Sequence, residues 1–319
     1  MRVYLVVAGA AVAAAGLVVG GVLATRTGEG KSTTALKPQR GAPPLVLDLG
    51  VRTDPEAKLL RRAAALYDRG RRAAAGRLFA ESRSLQSRVG ELFAAWPDRS
   101  LDHVERLART NPQSGFLLLH VGLARFWAGK PGARKAWREA LARDPDSASA
   151  EHADDLLHPN SPRGRPIFVP SFSTPSSIAK LSPPQQFAAL ERAAGTGGVR
   201  AKLLYGVALQ RLARPISAER QFAAAARLAP EDAEAQTAAA LGLFEKGNVT
   251  PAFARLGPLT RRFPRAPTVR FHLALLLFWI GQVREAERQL RLAAAEGPNT
   301  PLGREAKRFL VRLERANRS

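Results

Sequence analysis

The side chains best equipped for chemistry are few and scattered. The five histidines, His103, His120, His152, His158 and His272, show no metal-binding spacing, and Asp154-Asp155 reads as solvated surface on a short helix. There is no cysteine, which removes thiolate zinc sites, disulfides and a cysteine nucleophile. No P-loop and no dinucleotide-binding glycine fingerprint occurs. The sequence therefore predicts no enzyme, no catalytic residue, no metal and no cofactor. His120 and His272 stand out in another way. They fall at equivalent positions in two similar apolar stretches, where packing is the expected role.

Those two stretches are Leu119 to Gly129 and Phe271 to Gly281, which align at an offset of 152 residues. Pro112 and Pro264 share that offset, which points to duplication of a larger block. A shorter period lies inside it. Pro230, Pro264 and Pro298 are 34 residues apart. In phase with them come the small residues Gly206, Ala240 and Ala274, then Ala218, Ala252 and Ala286, then Phe222, Leu256 and Leu290. Ala213, Gly247 and Gly281 fall where two helices would turn. A small residue lets a neighbouring helix approach, and proline ends a helix because it cannot extend the hydrogen-bond ladder.

This pattern resembles the tetratricopeptide repeat family over roughly residues 199–300, although Lys202, Gln236 and Arg270 stand where the motif often has tryptophan. The resemblance implies an all-α superhelix of stacked antiparallel helix pairs, with a concave groove lined by first-helix residues. In one array those would be Phe116, Leu119, Leu123 and Phe126, with Trp127 beside them. In the other they would be Phe271, Leu275 and Phe278, with Trp279 beside them and Arg200, Gln210 and Arg211 as a basic rim. Such a groove suits a protein or peptide ligand, with the arginines selecting an acidic one. Packing of the same apolar residues inside the core is the competing expectation.

The remaining segments are read from composition. Residues 54–146 read as three repeats, two of them irregular, including a compressed helix pair broken at Pro97. Residues 147–182 read as a proline-rich linker whose Ile167-Phe168-Val169 and Phe172 are apolar enough to pack on the array. Residues 183–300 hold the regular array behind a leading helix, and 301–319 a terminal helix that covers the last apolar face. Residues 26–53 read as a tether with one apolar patch, Pro44-Leu45-Val46-Leu47.

Residues 1–25 contain an uncharged run from Val3 to Ala24, long enough to span a bilayer. The expectation is a single-pass membrane anchor with the body favoured on the extracytoplasmic side, or a secreted body if the segment is a cleaved signal. The formal charge of +22 carries a second functional expectation, a basic surface for anionic envelope polymers, lipid headgroups or nucleic acid. Arginine-rich, cysteine-free composition typical of a GC-rich bacterial genome explains the charge more simply, and disfavours nucleic acid. The interaction scaffold is the leading expectation.

Overall fold

The computed structural model describes residues 41–318, and side chains as far as Arg315. Every regular element among them is an α-helix. Two compact units divide the chain, one ending at Pro159 and the other beginning at Asn160.

The first unit contains α1 (Pro55–Asp68), α2 (Arg72–Phe79), α3 (Leu85–Ala94), α4 (Ser100–Thr110), α5 (Gly115–Trp127), α6 (Ala133–Arg143) and α7 (Ala148–Leu157). The second contains the four-residue α8 (Ser176–Ala179), then α9 (Pro183–Thr196), α10 (Val199–Arg211), α11 (Pro215–Leu228), α12 (Ala233–Gly242), α13 (Thr250–Arg262), α14 (Pro267–Trp279), α15 (Val283–Glu296) and α16 (Pro301–Arg318). Local signals set many of these boundaries. Asp54 and Asp232 accept the N–H of Ala57 and Ala235 at 3.0 and 2.8 Å, satisfying donors that a helix start leaves open. Ser182 and Gln185 form a reciprocal capping box ahead of α9.

Each unit is built from helix pairs. In the second, α10 packs on α11, α12 on α13 and α14 on α15, and each first helix also meets the next first helix. The first unit repeats this with α1/α2, α3/α4 and α5/α6. A single further helix closes each set: α7 lies on α5 and α6, and α16 on α14 and α15. Repeat positions lie inside. Ala218, Ala252 and Ala286 are buried, as are Phe222, Leu256 and Leu290 one turn later. Gly206 of α10 is what allows Phe222 to lie flat on its pair, because a Cβ there would stand 2.3 Å from the Phe222 ring. Gly122 of α5 plays the same part for Trp137 of α6, again at 2.3 Å.

Turn geometry departs from strict periodicity. Gly281 has a φ of 76° and Ala213, at the equivalent position, a φ of 55°, the left-handed region that an L-residue resists. The turn after α12 is built differently, around a bridge between Glu245 and Asn248.

One expectation is corrected. Among the described residues no helix is long and apolar enough to cross a membrane. Helices α1 to α15 reach at most 14 residues, about 21 Å at 1.5 Å per residue, against roughly 30 Å of hydrocarbon. The 18-residue α16 is studded with arginine, lysine and glutamate. That finding overturns the single-pass membrane protein, and no transmembrane helix has support among the described residues. The stretch from Val3 to Ala24 lies outside the described residues.

Candidate peptide groove

The first helices of each unit carry a line of hydrogen-bonding side chains, and each line holds an extended piece of the same chain. In the second unit, Gln210 of α10 accepts the main-chain N–H of Phe168 through Oε1 at 3.0 Å. His272 of α14 accepts the N–H of Val169 through Nε2 at 2.9 Å. Glu234 of α12 accepts the N–H of Ser171 at 2.6 Å. Arg165, ahead of these, donates to the carbonyl of Phe244 at 2.7 Å. Three successive first helices thus each supply an acceptor to one short segment.

The side chain of Phe168 anchors that segment and has no exposure. Its ring stacks on His272 at 4.9 Å and meets Phe222 edge-on at 5.7 Å. Burial of a phenylalanine of this kind contributes about 2–3 kcal/mol. Phe172, further along, lies under the exposed Arg200 guanidinium at 5.1 Å.

The first unit uses the same design. His120 of α5 accepts the N–H of Val46 through Nε2 at 3.3 Å. Gln86 of α3 accepts the N–H of Asp48 at 3.0 Å and donates to its carbonyl at 2.9 Å. Tyr67 of α1 donates its hydroxyl to the carbonyl of Pro43 at 2.5 Å. Leu45, Val46 and Leu47 pack on the apolar core of that unit.

The two registers match. The third first helix holds the N–H of Val46 or Val169, and the second holds the N–H two residues later, at Asp48 or Ser171. A buried proline, Pro43 or Pro166, lies three residues before the valine in both.

The imidazoles are fixed as neutral Nδ1–H tautomers by these contacts. With Nε2 accepting, Nδ1 donates to the carbonyl one helical turn back, Phe116 for His120 and Thr268 for His272, each at 2.7 Å. Both rings are completely buried. Desolvation pushes each down to about 4 from the ordinary 6.5. Burial pushes the Glu234 carboxyl up, and the Ser171 N–H partly offsets that.

The groove residues expected from sequence divide between the acceptor line and the apolar core. Gln210 lies on the line of acceptors. Leu119 and Leu123 are buried. Phe116 is half-buried with its ring 4.3 Å from His120, while Phe126 is half-buried against Trp127 and Trp137. Phe271 meets His272 edge-on at 5.3 Å, and Leu275 is buried. Phe278 stacks on Phe309 of α16 at 5.3 Å, and Trp279 meets Phe244 at 5.6 Å. Arg211 is half-buried, and desolvation lowers its pKa. Sequence reasoning missed Gln86 and Glu234 altogether, and placed Tyr67 only as a repeat position. It noticed His120 and His272 but gave them only a packing role. The available signal was a polar side chain recurring at one position inside duplicated apolar helices.

Asp154, expected on the solvated surface, is buried and pairs with His158 at 2.9 Å. Among the described residues no cluster of three or more histidine, aspartate or glutamate side chains could hold a metal ion.

No protein-family model matches the chain, and no curated protein matches it. Solved structures similar to it are tetratricopeptide-repeat proteins. YrrB, a TPR protein with an unusual peptide-binding site, is 16% identical over 65% of this chain and 99% of its own, with a TM-score of 0.32. Yeast Tom70 is 15% identical over 95% of this chain and 54% of its own, at 0.37. The APC/C hetero-tetramer Cut9–Hcn1 is 15% identical over 81% of this chain and 56% of its own, at 0.28. The chain thus spans about half the length of the latter two.

Proposed function

We propose that this chain is a non-catalytic interaction protein of superhelical repeats, whose first-helix grooves bind an extended segment of a partner protein or peptide. One observation carries the proposal. In both units, acceptors on successive first helices grip main-chain N–H groups two residues apart. Such contacts recognise extended backbone as such, while side-chain pockets add selectivity. The Phe168 pocket would select an aromatic or large aliphatic residue. Arg200 at the rim would favour an acidic flank.

A peptide-display selection against the full chain, followed by hydrogen exchange on the selected complexes, tests this. Extended peptides should emerge and alter exchange along α10, α12 and α14. Replacing Gln210 by alanine should weaken them about 3- to 10-fold, as the loss of one hydrogen bond implies. Selected peptides that are indifferent to both Gln210→Ala and Glu234→Ala would sink the groove as the binding site.

A further inference from the structure

We infer that residues 165–171 are a built-in ligand of the second unit, displaced by a partner segment that repeats their pattern: a buried proline, then an aromatic, then a β-branched residue. The inference rests on the peptide-binding function proposed above and adds to it the class of partner and the means of control.

Four observations support it. The segment is held by side-chain acceptors from α10, α12 and α14. None of those contacts requires the donor to belong to the same chain. The segment inserts one aromatic knob, Phe168, between Phe222 and His272, a form of anchoring that a second peptide can reproduce. Its flanks are open: Arg163 on one side, and Ser173, Pro175, Ser176 and Ser177 on the other, are exposed. Finally, the first unit holds Pro43 to Asp48 in the same register with different side chains, Leu45 standing where Phe168 stands. The same main-chain register is therefore kept with a different side chain at the anchor position.

Displacement leaves specific groups to be satisfied. Without the segment, Gln210, Glu234 and His272 each lose a donor, and the Phe222 ring loses its cover. A partner must restore all of these, which selects an extended chain over a helix, whose own N–H groups are already paired. An arginine at the position of Arg165 would also recover the contact with the Phe244 carbonyl. Self-occupancy then sets a threshold. The groove is available only for the fraction of time that the segment is out, and apparent affinity falls by that fraction.

The test uses the full chain, a fluorescent peptide copying residues 163–173, and a second peptide with alanine in place of Phe168. The first peptide should bind a Phe168→Ala host about tenfold more tightly than the unaltered chain, because the weakened native segment competes less well. The alanine peptide should bind neither. Equal affinity for the two hosts, or no binding of the first peptide to either, would overturn the inference.

Should the Phe168→Ala host fail to fold, a protease site placed at the exposed Pro175, Ser176 and Ser177 supplies a second route. After cleavage, excess peptide should free the native segment, seen as fast exchange of the Val169 N–H. Slow exchange at every peptide concentration would equally overturn it. Failure of the proposed function reads differently. In that case display-selected peptides bypass the groove of the Phe168→Ala host as well, whereas failure of the built-in ligand alone leaves them in the groove of both hosts with equal affinity.

Discussion

His272 Nε2 accepts the main-chain N–H of Val169 at 2.9 Å, across 103 residues of sequence. The contact exists only while the imidazole is neutral, since a protonated Nε2 would direct its own hydrogen at the donor. His120 and Val46 form the same contact in the other unit.

Stability should therefore fall as pH drops below the histidine range. Each folded imidazole sits at about 4 and its unfolded counterpart near 6.5. Between those values the unfolded chain binds the extra proton, so acid favours unfolding. The loss is about 2 kcal/mol per histidine between pH 6.5 and pH 5. The raised carboxyls of Glu219, Glu234 and Asp68 act in the opposite sense as pH falls towards their own range. Denaturant melts at pH 7.5 and 5.5 on the parent and on a His120→Gln/His272→Gln double variant separate the two. Glutamine keeps an acceptor without titrating, so the double variant should lose much less between the two pH values. Equal losses would show that other groups govern the acid response.

Gly206→Ala should destabilise the second unit by about 1–3 kcal/mol, the usual range for overpacking. Its Cβ would stand 2.3 Å from the Phe222 ring. Gly195→Ala is the control, since nothing lies within 4 Å of its Cβ. It should be neutral or slightly stabilising because alanine favours the helix. Urea midpoints of the two variants should move in opposite directions or differ clearly in size.

Ala213→Gly should stabilise the chain by about 0.5 kcal/mol. Ala213 holds a φ of 55°, and relieving a side chain from the left-handed region is worth about 1 kcal/mol, of which the extra unfolded-state freedom of glycine takes back about half. The thermal midpoint should rise. A fall would mean that the methyl group of Ala213 contributes more by packing than its backbone loses by strain.

Gln86→Ala should loosen the segment of the first unit and leave its helices intact. Both hydrogen bonds to Asp48 disappear, a local loss of about 1–3 kcal/mol. Hydrogen exchange at Val46 and Asp48 should accelerate while the interior amides of α5 stay protected, because opening of a surface segment need not involve the core. Uniform acceleration across the unit would show that the segment is part of the cooperative core.

Much of the scaffold was written in the sequence by itself. The 34-residue period of prolines and small residues specified the paired helices of the second unit, because packing distance and helix termination depend on residue size and on proline at fixed intervals. The similarity around His120 and His272 specified a duplicated block. The apolar residues amid the prolines at 167–169 signalled a segment with something to bury. Tertiary structure decided what those features do together. Gln210, Glu234 and His272 come from three helices separated by tens of residues, and only their stacking brings the three acceptors into one line. Single-helix periodicity cannot reveal that line, because each helix contributes one polar atom to it. Nor could it reveal that the chain fills its own grooves, since a main-chain N–H carries no signature in the amino-acid sequence.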